Sequence, residues 1–149
     1  MDWLSGPDKE MVFRLFVATL FGGLIGLERE LHGKVAGFRT HALVCLGAAL
    51  IMVVSIDIYA AYRGVAVVDP SRIAAQVVSG IGFLGAGAII RFPTGITGLT
   101  TAASLWAVSA IGLACGAGFF KPAVAATAMV LLVLFVFGQI GRVFGWKDV

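Results

Sequence analysis

Between Arg72 and Arg91 the chain runs without a charged side chain, over about twenty residues, the length a helix needs to cross the hydrocarbon core of a bilayer. Asp69 and Pro70 precede it and form a helix-start signal. An aspartate there accepts hydrogen bonds from the first free N–H groups, and proline suits the first helical position because its missing N–H would go unpaired anyway. Inside the stretch, Ala74, Ala75, Ser79, Gly80, Gly82, Gly85, Ala86, Gly87 and Ala88 carry little or no side chain. So many glycines weaken a helix in water. In lipid, where association depends on packing, small residues instead let helix backbones approach closely. The stretch therefore reads as a membrane helix surrounded by others, with Gly82 and Gly85 as packing positions.

Composition extends this reading to the whole chain. Hydrophobic residues make up 60% and charged residues 13%, against about 25% charged in soluble domains, and the mean hydropathy is +1.01. Apolar runs at about 11–27, 41–62, 72–90, 99–118 and 123–141 predict an all-α, polytopic membrane protein, a compact bundle of about five transmembrane helices in one domain, 1–149. Gly22 and Gly26, and again Gly112 and Gly116, have the G-x-x-x-G spacing of close helix contacts. The last run, mostly Val, Leu and Phe, reads as a lipid-facing helix, with Trp146 and Lys147 behind it as an interface anchor. The opening, Met1 to Glu10, is acidic-leaning and lacks the positive region of a secretory signal, so the first run is expected to stay in place. Cys45 lies early in its run and Cys115 late in a run of the same direction, which puts the thiols toward opposite faces with no bridge.

Basic residues orient the bundle. Arg29, Lys34, Arg39, Arg91, Arg142 and Lys147 share one side, while Lys9, Arg63 and Lys121 lie on the other once Arg14 and Arg72 are counted inside the spans. The positive-inside rule then places the N-terminus outside and the C-terminus in the cytoplasm.

Ionisable groups at membrane depth are costly and point to function or to pairing. One layer holds Arg14, Asp57, Asp69, Arg72 and Gln76, with Arg72, Gln76 and Ser79 on one helical stripe. Its acids and arginines suggest an ion-pair cluster, Asp57 with Arg14 or Arg72, that fixes helix order; Arg14 alternatively snorkels to the interface. The other layer holds Glu28, Glu30, His32, Arg39 and His41, with Thr97, Thr100, Thr101 and Ser104 at the same depth. Glu28 and Arg39 bracket the connection like a clasp, or line a polar pocket with Thr100 and Thr101. His32 and His41 share no helix register, and no carboxylate or cysteine joins them at metal spacing. GIGFLGAG lies within a membrane run, with no preceding strand and no lysine, so nucleotide-loop readings fail. The reading is a non-enzyme with no cofactor and no nucleic-acid partner, since the net charge of +3 is spread along the chain.

GLERE at Gly26–Glu30, GFRTHALVCLGAAL at Gly37–Leu50, DPSRIAAQVVSGIGFLGAGAII at Asp69–Ile90 and GLTTAASLWAVSAIGLACG at Gly98–Gly116 together resemble the MgtC/SapB family of bacterial inner-membrane proteins. The motif set carries over to Glu28, Arg39, Thr40, Asp69, Arg72, Gln76, Gly82, Gly85, Thr101 and Trp106. The resemblance implies a bundle of four to five spans in the inner membrane and a role in adaptation to low magnesium. For the virulence-associated branch it implies survival inside phagocytes, by restraint of the proton-driven ATP synthase through membrane contacts. Virulence-type members carry a soluble domain after the last span, whereas this chain stops soon after Gly141 and reads as a short form.

The expected function is a regulator working by helix–helix contact, its partners the bilayer, a second copy as homodimer, and another membrane protein such as ATP synthase. The rival is a small transporter or ion conduit, with the polar stripes of spans three and four meeting near the midplane through Ser79 and Ser104.

Overall fold

The first helix, α1 (Gly6–Leu31), continues a full turn beyond its apolar run. Glu28, Arg29 and Leu31 favour helix, and the helix ends only at Gly33, where φ is +64°. There the Lys34 N–H donates to the Arg29 carbonyl and the Gly33 N–H to the Glu30 carbonyl, both at 3.0 Å, the double closure of a glycine-ended helix. The charged connection expected from Glu28 thus begins as helix, and its acids take fixed helical positions. The computed structural model describes residues 6–93 and 95–143; the expected anchor at Trp146 and Lys147 lies outside them.

After α1 come α2 (Phe38–Tyr62), α3 (Ser71–Ala88), a hairpin of β1 (Ile90–Phe92) and β2 (Gly95–Thr97), α4 (Leu99–Gly116) and α5 (Phe120–Val143). The hairpin is antiparallel, with Ile90 opposite Thr97 and Phe92 opposite Gly95. The chain is an all-α membrane bundle. Four helices, α1, α2, α4 and α5, are long and apolar enough to cross a membrane. The expected third span, 72–90, forms a helix but is not among them. Arg72 and Gln76 occupy its first turns, and its glycines add little hydropathy.

The centre of the bundle is therefore not α3 but the α1–α2–α4 contact. A Cβ on Gly22 would lie 2.6 Å from the Cys45 side chain, and one on Gly26 would lie 2.7 Å from the Gly37 carbonyl oxygen. On α4, a Cβ on Gly112 would run into the Cys45 carbonyl, and one on Gly116 into that of Ala49. Two G-x-x-x-G faces, from α1 and α4, thus both close on α2, which answers with Ala42, Cys45, Ala48 and Ala49, all buried. Close backbone approach is how helices gain packing energy where hydrophobicity cannot drive them together.

Gly82 behaves differently from the packing position expected of it. It is exposed, and a Cβ there would meet nothing within 4 Å, while one on Gly85 would make an ordinary 3.6 Å contact with Ala102. Only Ala74, Ile81, Gly85 and Ala88 of α3 are buried. Its other face looks outward.

The cysteines also depart from the sequence reading. Both are free and buried, and they share one core with Ala18, Ile25, Val108 and Ile111. The cause is a shift of α4 along α2. Gly112 meets Cys45 and Gly116 meets Ala49, so the end of α4 lies beside the middle of α2. Along α5, Val124, Met129, Leu132, Phe135 and Phe137 are exposed, as suits a lipid-facing helix.

Candidate functional site

The extra turn of α1 carries Glu28 and Arg29 into the bundle. Arg29 is only 4% exposed. Its guanidinium grips the Glu28 carboxylate with two bonds, Nε to Oε2 at 2.5 Å and Nη2 to Oε1 at 2.8 Å. His32, one turn on, places Nδ1 3.0 Å from Glu28 Oε1 and 2.8 Å from the Glu28 carbonyl. Glu30 turns to the connection and accepts the Phe38 N–H at 2.8 Å. Glu30, rather than Glu28, closes the α1–α2 turn.

In the first turn of α2, His41 is fully buried. Its Nδ1 meets the Gly37 carbonyl at 2.9 Å, and its Nε2 meets Ser104 Oγ of α4 at 2.9 Å. Ser104 Oγ also lies 2.8 Å from the Thr101 carbonyl. Two small networks, Glu28–Arg29–His32 and His41–Ser104–Thr101, thus occupy the same end of the bundle. Ionised side chains are tolerated there because each has a partner.

The structure brings together Glu28, Thr101 and Ser104 of the expected site at this end. Arg39, Thr40 and Thr100 are exposed, so neither the Glu28–Arg39 clasp nor the pocket built on it forms. The reason is local: helix continuation sets Arg29 beside Glu28 and leaves Arg39 on the outer side of α2. Arg29 is a buried polar residue missing from the sequence-derived site, and His41, expected only as one of the polar residues at this depth, is fully buried. Arg29 could have been found by carrying the helix through GLERE to the first glycine that stops it.

The ion-pair layer at the other end also differs. Arg14 donates from Nη2 to Glu10 at 2.5 Å and from Nη1 to the Gly116 carbonyl at 2.9 Å. It thereby caps the end of α4, where a cation is favoured by the free carbonyls and the helix dipole. Asp57 and Arg72 are exposed, and no ion pair joins Asp57 to Arg14 or Arg72 among the described residues. Asp69 takes the expected capping role. Its Oδ1 accepts the Ser71 N–H at 2.8 Å and the Ser71 hydroxyl at 2.7 Å, and these bonds hold the carboxyl below the usual carboxylate range. Ser55 adds a hydroxyl bond to the Pro70 carbonyl, tying the start of α3 to α2.

Ser79 is exposed on α3, whereas Ser104 is buried between α2 and α4, so the expected midplane meeting of these serines does not occur. Between α2 and α3 lies an apolar groove of about 570 Å³, lined by Val44, Ala48, Val77 and Ile81, with Gln76 and Ser109 as its polar members. Among the described residues, no three of His, Cys, Asp and Glu converge as a metal ion requires.

The MgtC family model matches residues 15–143 of the chain. The Escherichia coli K12 protein YhiD, whose name marks it as a candidate magnesium transporter, is 47% identical over 133 residues, covering 88% of this chain and 62% of YhiD. Protein MgtC of Salmonella typhimurium is 48% identical over 120 residues, 80% of this chain and 49% of that protein. The chain thus spans about half to three fifths of the length of these relatives. No solved structure matches it.

Proposed function

The chain belongs to the MgtC family, and from that premise we propose that it is a non-enzymatic regulator of the bacterial inner membrane that acts through lateral contacts of its helices. The observation that carries this reading is the outward face of α3. Ala75, Ser79, Gly82 and Ala86 recur at four-, three- and four-residue steps and are all exposed, a stripe on which another helix can pack closely. Beside it Phe83 stands 84% exposed. The occupants it fits are a second copy of the chain and another membrane protein, ATP synthase being the one the family resemblance suggests. The excess of basic residues around the α1–α2 connection and the hairpin favours a cytoplasmic location for that end, with the N-terminus outside. Adaptation to scarce magnesium is the setting that the relatives' names favour.

Transport is the second reading, favoured by the name of YhiD and by the ionised Glu28–Arg29 pair at the end of the bundle. Complementation of a deletion strain at limiting Mg²⁺ separates the two. Under the regulator reading, Gly82→Leu inserts normally yet fails to restore growth, because it wedges the outer face of α3. Purified protein in proteoliposomes then carries no Mg²⁺ flux. Restored growth with Gly82→Leu, together with a flux abolished by Glu28→Gln, would establish transport instead.

A further inference from the structure

We infer that His41 is a proton-binding site whose occupancy is read by Ser104 across the α2–α4 contact. The hydrogens around the ring can be counted atom by atom. His41 Nδ1 faces the Gly37 carbonyl at 2.9 Å, and a carbonyl only accepts, so Nδ1 bears a hydrogen in either ring state. His41 Nε2 is 2.9 Å from Ser104 Oγ, and that oxygen is 2.8 Å from the Thr101 carbonyl, again an acceptor only. A serine hydroxyl has one hydrogen to give. When the ring is neutral, Nε2 is bare. Ser104 must then choose between Nε2 and the Thr101 carbonyl, and one close contact is left without a hydrogen. When the ring takes a second proton, Nε2–H donates to Ser104 Oγ, Ser104 donates to the Thr101 carbonyl, and every contact is filled.

The surroundings make this proton count. From α1, Gly26 packs against the Cβ of His41, and the charges of Glu28 and Arg29 on the same helix already neutralise each other in their ion pair, with His32 bonded to the Glu28 carbonyl. From α4 the ring meets the neutral Ser104. The ionisable residue of α3, Arg72, sits in its first turn at the far end, as do Asp57 of α2 and Lys121 of α5, while Arg39 is exposed. A proton on His41 therefore adds a positive charge beside a pair that is already neutral, with Glu30, bonded to the Phe38 N–H, as the carboxylate at the adjoining turn. It enters within one turn of the α1–α2 connection, so the aqueous phase on that side supplies it.

The test is nitrogen-15 NMR of the imidazoles of the full chain in lipid nanodiscs, titrated between about pH 8 and pH 5, with His32→Gln used to assign the exposed ring. The neutral His41 ring is expected to hold its hydrogen on Nδ1, and Nε2 to gain one on acidification while helix content stays constant. Ser104→Ala removes the oxygen that receives the new N–H. At the pH where half of the parent protein is converted, His41 of that variant is expected to remain largely singly protonated. A neutral ring with its hydrogen on Nε2, a ring that stays singly protonated until the protein unfolds, or equal conversion in Ser104→Ala would each overturn the inference.

Discussion

Gly22 of α1 and Gly112 of α4 both bear on Cys45 of α2, each so closely that a single added methyl group would collide with it. That shared contact explains why the bundle is built around α2. Three backbones meet where each offers small residues, and Ile25, Val108 and Ile111 fill the core beside them.

Substitutions at these glycines are expected to separate structural from outward-facing positions. Gly22→Ala and Gly112→Ala force backbone shifts of the kind that cost about 1–3 kcal/mol. Gly82→Ala meets open space and gains helix propensity of roughly 1 kcal/mol at most. Unfolding of the detergent-solubilised protein, followed by circular dichroism, checks the order: both core variants below the parent, Gly82→Ala at or above it.

The Glu28–Arg29 pair gives a prediction that separates the single change from the double. Their side chains are 12% and 5% exposed. Arg29→Met alone leaves the Glu28 carboxylate with only the His32 ring beside it and is expected to cost about 3 kcal/mol, whereas Glu28→Met with Arg29→Met is expected to be close to neutral in stability. Arg39→Ala, at an exposed position, is expected to change little. The same unfolding measurement distinguishes the three.

Acid should loosen the start of α3. The bonds from Ser71 depress the Asp69 carboxyl in the folded chain. A depressed acid stabilises the fold above its unfolded value, and that contribution is lost as pH falls through the folded value. Hydrogen exchange at the Ser71 amide, corrected for its intrinsic rate, is expected to lose protection in that acid range. Asp69→Ala is expected to be unprotected throughout and to show no such step.

Much of the architecture is legible in the residues themselves. Apolar runs of bilayer length announce the helices, and the paired glycines at 22/26 and 112/116 mark faces that the fold brings against α2. What the sequence hides is offset and depth. The slide of α4 along α2 puts Cys115 into the same core as Cys45, and no local pattern encodes a slide. The reach of α1 past its apolar run turns Glu28 away from Arg39 and toward Arg29, because a helix ends at the first residue that can stop it, here Gly33. The prominence of α3 in the sequence has a different cause. Its small residues outnumber those its single buried face can use, and the surplus faces outward.

Cysteine crosslinking at Ser79 probes that surplus face. Cys45 and Cys115 are buried, so a Ser79→Cys variant in native membranes presents its new thiol on the outer stripe of α3 with little background. A crosslinked species is expected, either a dimer of the chain or an adduct with another membrane protein, that disappears when Gly82→Leu is added. A product confined to monomer under oxidising conditions, or a crosslink unaffected by Gly82→Leu, would contradict it.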